Sequence, residues 1–360
     1  MKILHILYSG LGGHGNVFFS LFNADAKKMH NLEALFYGIE DVRSEFCKEC
    51  DNNNIPRYFA KKKYKIDFLY YYKILKYIRK SDPDIIFLHG SAYIFLAKIT
   101  TLLTKKKLKI IIRETQANKL KNSGQWVSLI AGMYLANYIV CLTAEFKEQL
   151  QKKLKGLYRE QKIRIIPNGI DLTVYKPGQK PKANTIVIGM QSRLVRIKDH
   201  ITLLKAFSIL TRNCNYNLRL RIAGDGDFKD QLVDMSNQLQ LNGKVEFTGM
   251  LDEKELVLFL QSLDIYVHAS LGETMSTAIM QAMACKLPLI ASDVSGINNM
   301  IKHNYTGLLV MPRDENMLVK AIQYLIENTS EREVISLNAY NHAQLNYSNF
   351  SMFEMYNILY

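Results

Sequence analysis

At 360 residues, 48% apolar and 11% aromatic, the chain has the make-up of a soluble globular protein with length for two cores. It contains no run of about 18 uncharged apolar residues, which leaves no candidate for a spanning helix. Its five cysteines are odd in number and scattered, as expected of thiols in a reducing cytoplasm rather than a disulfide framework. The net charge of +14 is lopsided, because residues 1–178 hold 30 Lys and Arg against 15 Asp and Glu while the remainder hold 17 against 18.

A basic half beside a neutral half points to an anionic partner of the first half. Lys61, Lys62, Lys63 and Lys65 interleave with Tyr64, Phe68 and Tyr70 to Tyr72. Tyr and Phe sit well at headgroup depth beside Lys, so the expected partner is an anionic membrane surface and not nucleic acid. The alternative is a Lys-rich solvated face.

In chain order, residues 2–8 read as a buried first strand; the opening lacks a small-residue cleavage site and is not read as a signal peptide. Gly10, Gly12 and Gly15 then fit GxGxxG, ahead of a helical run at 17–26. Strand, Gly-rich turn and helix N-terminus can cradle a phosphate. The second strand, 32–37, ends in Tyr37-Gly38 without the acid that nicotinamide binding wants, so a tight turn stays open beside it. Cys47 and Cys50 form a CxxC with no second pair, read as a chance pair on a helix. A helix is expected near 68–79. Asp82-Pro83-Asp84 precedes the strand 85–88, the wrong end for a ligand, and reads as a turn. His89 ends that strand. Residues 109–112 form another strand, ending in Arg113-Glu114.

Residues 175–181 carry two Pro and a Gly among polar fillers, the chemistry of a linker. The expected domains are therefore 1–176 and 177–344, with 345–360 a C-terminal helix. The second half restarts the strand–helix alternation. Arg193 and Lys198 flank the start of a helix, an arrangement suited to a diphosphate. Residues 265–267 lead into Ser270-Leu271-Gly272-Glu273, then a helical run at 276–284 and a strand at 287–292. This places one carboxylate, Glu273, in the loop after a strand's carboxyl end, with Gln281 eight residues on.

On these residues the chain resembles glycosyltransferase family 4, retaining enzymes of GT-B fold. The carriers are Pro167-Asn168-Gly169-Ile170-Asp171, Arg193 with Lys198, Ala223-Gly224-Asp225-Gly226, Phe247-Thr248-Gly249, and the stretch from Glu273 to Gly296 with Ala282-Met283-Ala284 and Pro288. The resemblance implies an α/β fold of two Rossmann-like domains facing across a cleft, with the C-terminal helix crossing back to the first. It implies that Arg193 and Lys198 bind the donor diphosphate, that Glu273 holds donor-sugar hydroxyls, and that Thr274, Met275 and Ser276 lie near diphosphate and sugar. Gly249, Met250 and Leu251 would line the base pocket, and Gly12 and Gly13 would face the donor from the first domain.

Gln281 stands where the family has its second Glu, the ribose ligand; it can accept and donate one hydrogen bond but not make the charge-assisted one. The family's His-acid pair is replaced by Arg113-Glu114, which leaves His89 or Arg113 as the acceptor-side group. The activity implied is transfer of a hexose or N-acetylhexosamine from a UDP-linked donor to a lipid-linked saccharide in cell-surface polysaccharide assembly. No metal or cofactor is implied, and the setting is cytoplasmic and peripheral to the membrane. The alternatives are a non-catalytic GT-B binding subunit and a dinucleotide-dependent oxidoreductase.

Overall fold

The computed structural model describes the chain except residues 11–12, 65–66, 105, 117, 119–120, 180–183 and 214. It divides into two units, Met1–Gly169 with Asn349–Tyr360, and Ile170–Ser348. The first unit alternates β1 (Lys2–Tyr8), α1 (Gly13–Ala24), β2 (Asn31–Gly38), α2 (Ser44–Asn52), β3 (Arg57–Lys61), α3 (Phe68–Ser81), β4 (Ile85–His89), α4 (Ile94–Leu103), β5 (Lys109–Arg113), α5 (Ser123–Leu135), β6 (Tyr138–Cys141), α6 (Ala144–Leu154) and β7 (Ile163–Ile165). Its strands order as β3-β2-β1-β4-β5-β6-β7, and all pairings are parallel. Every residue of β4 is buried, which is why that strand reads as an unbroken apolar run: a parallel sheet is covered on both faces.

The second unit runs β8 (Thr185–Gln191), α7 (His200–Asn213), β9 (Asn217–Ala223), α8 (Lys229–Gln238), β10 (Val245–Gly249), α9 (Glu253–Gln261), β11 (Ile265–His268), α10 (Thr277–Ala284), β12 (Leu289–Ser292), β13 (Leu308–Val310), α11 (Glu315–Glu327) and α12 (Thr329–Asn346). Its parallel order is β10-β9-β8-β11-β12-β13, the doubly wound pattern whose switch point lies between β8 and β11. Helix starts follow local chemistry. Asp252 accepts from the Glu255 N–H while the Glu255 side chain accepts from the Asp252 N–H, a closed capping box at α9.

The last helix, α13 (Asn349–Asn357), belongs to the first unit. Its Phe353 and Tyr356 are buried, Tyr356 packs edge-on to Phe87, and Lys109 Nζ donates to the Leu359 carbonyl at 2.9 Å.

The units part seven residues before the expected boundary and rejoin at 348/349 rather than 344/345. The reason is packing. Tyr175 is 5% exposed within the second unit's core, the Lys176 carbonyl accepts from Gln261, and the Ile170 N–H donates to the Tyr347 carbonyl at 2.8 Å. The Pro- and Gly-bearing stretch, as far as residue 179, is therefore laid onto the second unit; residues 180 and 181 of that linker lie outside the described residues.

Asp82 caps α3 in the left-handed region (φ 43°), and Asp84 pairs with Lys106 at 2.7 Å and accepts from the Lys2 N–H at 2.8 Å, so this run holds the fold. Cys50 is buried on α2, and burial pushes its thiol up to about 12. Among the described residues no helix is long and apolar enough to cross a membrane, and no group of three or more His, Cys, Asp or Glu is placed to hold a metal ion.

Candidate donor site and the histidine cluster of the first unit

Two loops of the second unit, at the carboxyl ends of β8 and β11, build the site. The β8 loop rests on the turn after β9. Ser192 N–H donates to the Ala223 carbonyl (3.0 Å) and Leu194 N–H to the Asp225 carbonyl (2.9 Å). Gly224, at φ 129°, lies so close that a Cβ there would sit 1.9 Å from the Ser192 oxygen. Only glycine permits that approach. The Ala223-Gly224-Asp225-Gly226 run is thus a shelf for the loop that carries Arg193, which is exposed. His200 braces the same loop through the Ser192 hydroxyl at 2.9 Å. Burial, then the Lys198 charge, lowers its pKa to about 4.

The β11 loop is tied to the β8 loop. Leu271 N–H donates to the Ile197 carbonyl (2.8 Å), as does the Ser270 hydroxyl (3.2 Å). This brings Lys198 Nζ into contact with Glu273 Oε1; the two side chains are 13% and 15% exposed. Burial, and then Arg193, lowers the Lys198 pKa to about 7, while the Glu273 carboxylate in contact acts in the opposite sense. Glu273 Oε1 also lies 3.0 Å from His268 Nε2. Behind it stands Gly296 at φ 87°, where a Cβ would fall 2.4 Å from the Glu273 carbonyl oxygen.

Thr274 and Met275 are half-buried, and Ser276 caps α10. The Ser276 N–H is already given to Met300 Sδ at 3.3 Å. Gln281 is 6% exposed; its Oε1 accepts from Gln191 Nε2 at 2.8 Å, and the Tyr175 hydroxyl bonds to it as well. The side chain in the second-Glu position is therefore tied inside its own unit. Gly249 ends β10 at φ 75° and its carbonyl accepts from the Gly224 N–H (2.8 Å), next to exposed Met250 and half-buried Leu251.

In the first unit, Gly12 lies outside the described residues, and Gly13 is exposed at the start of α1. His89 and Arg113 sit side by side in register on β4 and β5, 1% and 2% exposed. Arg113 donates to Asn168 Oδ1 at 2.5 Å, and the Tyr356 hydroxyl lies beside it. His5 Nδ1 is 3.1 Å from His89 Nε2, and the His14 and His89 rings are 5.6 Å apart. Burial, then the Arg113 charge, lowers His5 and His14 to about 3. His89 is also held well below its usual value, by burial first. His14 is the member of this row that is half-buried, with Nε2 3.1 Å from the Thr115 hydroxyl. It escaped the sequence reading. The available signal was a titratable residue directly after the Gly-Gly pair at a strand's carboxyl end.

Two parallel-sheet Rossmann-like units, the second with a basic loop and a carboxylate at its switch point, make up the GT-B fold. The chain matches the family described as Glycosyltransferase Family 4 over residues 11–174 and that described as Glycosyl transferases group 1 over residues 173–342. The chain belongs to glycosyltransferase family 4. It is 26% identical over 218 residues to an uncharacterized glycosyltransferase of Methanocaldococcus jannaschii, a match covering 57% of this chain and 56% of that one. It is 27% identical over 269 residues to the UDP-Gal:alpha-D-GlcNAc-diphosphoundecaprenol alpha-1,3-galactosyltransferase of Escherichia coli, covering 70% of this chain and 67% of that one. Matches of this kind span little more than half to two thirds of the relatives' lengths. In structure, the chain superposes on Anabaena HepE, solved with UDP and glucose, with a TM-score of 0.83 and 18% identity over 100% of this chain and 99% of that one.

Proposed function

We propose that the protein is a retaining glycosyltransferase that takes a hexose or N-acetylhexosamine from a UDP-linked donor and passes it to a lipid-linked saccharide acceptor in cell-surface polysaccharide synthesis. The observation that carries this is the meeting of Lys198 and Glu273 at the switch point of the second unit, beside the Arg193 loop. Two fixed cations suit a leaving diphosphate, and a carboxylate among them suits sugar hydroxyls. The UDP-bound HepE structure and the UDP-Gal-dependent relative support uridine as the donor base. In the reaction the bond from the anomeric carbon to the diphosphate oxygen breaks. The acceptor oxygen bonds to that carbon on the face the diphosphate leaves, and its proton passes to a diphosphate oxygen. Arg193 and Lys198 offset the charge that a metal would otherwise offset, so turnover in EDTA should match turnover in magnesium.

The test is a calorimetric titration of the protein with UDP and with UDP-glucose, UDP-galactose and UDP-N-acetylglucosamine. Binding of UDP and at least one sugar is expected, with sugar hydrolysis falling about a hundredfold in Glu273→Ala. Failure of every uridine ligand to bind would sink the reading and favour the non-catalytic alternative; NAD binding would favour the oxidoreductase.

On the acceptor side, the half-buried His14 is the reaching group in this reading, with the buried His89 and Arg113 behind it. Its imidazole is neutral at working pH and can accept a hydrogen bond from a hydroxyl. His14→Ala should therefore lower transfer to a polyprenyl-diphosphate N-acetylglucosamine acceptor about tenfold while donor hydrolysis stays unchanged. A parallel fall in both would remove His14 from the acceptor side.

For the membrane, α3 and the neighbouring α4 present Phe68 (82% exposed), Leu69, Tyr72, Leu102 (74%) and Leu103 alongside exposed Lys73, Lys76 and Lys80. Apolar side chains flanked by ammonium groups suit an anionic leaflet. Cosedimentation with phosphatidylglycerol vesicles, but not phosphatidylcholine vesicles, is expected, and Phe68→Ser with Leu102→Ser should abolish it. Equal binding of both lipids would count against this partner.

A further inference from the structure

A histidine at the end of β11 has no part in the donor contacts above. His268 is 1% exposed. Its Nε2 lies 3.0 Å from Glu273 Oε1 and 3.2 Å from Ser276 Oγ, and its Nδ1 lies 3.3 Å from the Tyr266 hydroxyl. An ionised carboxylate only accepts, so the imidazole proton belongs on Nε2, facing Glu273. Nδ1 then carries a lone pair 3.3 Å from the Tyr266 hydroxyl, whose one proton is divided between it and the Gln191 carbonyl at 3.2 Å. Burial, then the Lys198 charge, holds the His268 pKa well below the usual value, so the ring is neutral.

Glu273 Oε1 thus has two donors, Lys198 and His268. Lys198 belongs to another loop and is the group a diphosphate would draw, since a diphosphate carries more negative charge than one carboxylate. When that exchange occurs, a carboxylate only 15% exposed loses one of its two partners. A buried anion without a donor turns toward water or a new cation. His268 belongs to the same strand–loop–helix as Glu273, so its bond is kept through the exchange.

We propose that His268 is the positioning residue for Glu273, holding the carboxylate in its sugar-facing place after the donor diphosphate has taken Lys198. The proposal rests on the donor site described above. The Glu273 carboxylate sets the imidazole tautomer, and Tyr266 contacts the other ring nitrogen.

The test compares wild type, His268→Ala, His268→Gln and Tyr266→Phe by titration with UDP and with UDP-glucose, UDP-galactose and UDP-N-acetylglucosamine, and by hydrolysis of the sugar that binds best. UDP, which lacks the sugar, should bind all four within about threefold. His268→Ala should lose about tenfold or more in sugar binding and hydrolysis, the worth of one hydrogen bond to a charged group. His268→Gln restores an N–H near the Nε2 position and should regain most of it; Tyr266→Phe should show a smaller loss. Melting curves identify a variant that fails to fold, and His268→Gln and Tyr266→Phe, which keep most of the volume, then carry the comparison. The proposal is overturned if Glu273→Ala weakens sugar binding but His268→Ala and His268→Gln do not, or if UDP binding falls in step with sugar binding. If the wild type binds no UDP-sugar, the donor-site reading falls, and this role falls with it.

Discussion

Lys198→Met is expected to lower UDP-sugar turnover by about a hundredfold to a thousandfold, the usual cost of removing one preorganised donor to a developing anion. Methionine keeps much of the side-chain length and removes the charge. Lys198 is held by the turn that shares hydrogen bonds with the Glu273 loop, through Leu271 and Ser270 to the Ile197 carbonyl. Its ammonium therefore arrives already placed, with little reorganisation left to make. The substitution also leaves Glu273 with His268 as its remaining charge-stabilising neighbour in this contact, so some loss of sugar binding should accompany the loss of rate. Lys198→Met with Glu273→Gln separates the two effects, because the double variant no longer carries a mostly buried unpaired anion. Steady-state hydrolysis of UDP-glucose or UDP-galactose measures this. Turnover of Lys198→Met within threefold of wild type would refute the role.

The second large effect is expected at Gly296. A Cβ at φ 87° would lie 2.4 Å from the Glu273 carbonyl oxygen and 2.8 Å from that of Thr274, both backbone atoms. Neither can swing aside as a side chain would. Gly296→Ala should cost about 2–4 kcal/mol, a fall of roughly 5–12 °C in melting temperature. Activity should fall further than stability alone requires, because what moves is the backbone that sets Glu273. Gly243 supplies the control. It has φ 74° and nothing within 4 Å of a built Cβ, so Gly243→Ala meets the left-handed backbone cost of about 1–2 kcal/mol without the collision. Equal melting temperatures for the two alanine variants would remove the steric argument.

Much of the fold was legible from strand-like apolar runs, and so was the position of Glu273, Arg193 and Lys198 in the loops that follow β11 and β8. Periodicity located α3 and α13 to within a few residues. It did not show α12, whose sequence mixes Asn, Ser, Tyr and His without a clear apolar stripe; buried Ile335, Ala339 and Ala343 show where it packs. His268 was hidden for a different reason. A histidine on an apolar strand looks like a core residue, and its value depends on a loop that turns Glu273 back onto it. The boundary was misread because Pro and Gly mark a turn equally well when the chain is pressed against a domain, as at Tyr175 and Lys176. Gln281 shows the limit of reading a position by its chemistry alone, since Gln191 and Tyr175 occupy the amide that was expected to face a ribose.

The first unit is not a contiguous stretch of gene: it needs residues Asn349–Tyr360 as well as Met1–Gly169. Tyr356, wholly buried against Phe87 and beside Arg113, is as much a part of its interior as any strand residue. An exchange of first units between relatives therefore has to splice at two points. A chimera that moves Met1–Gly169 and keeps the recipient's last twelve residues would set a foreign plug into the floor of the histidine cluster.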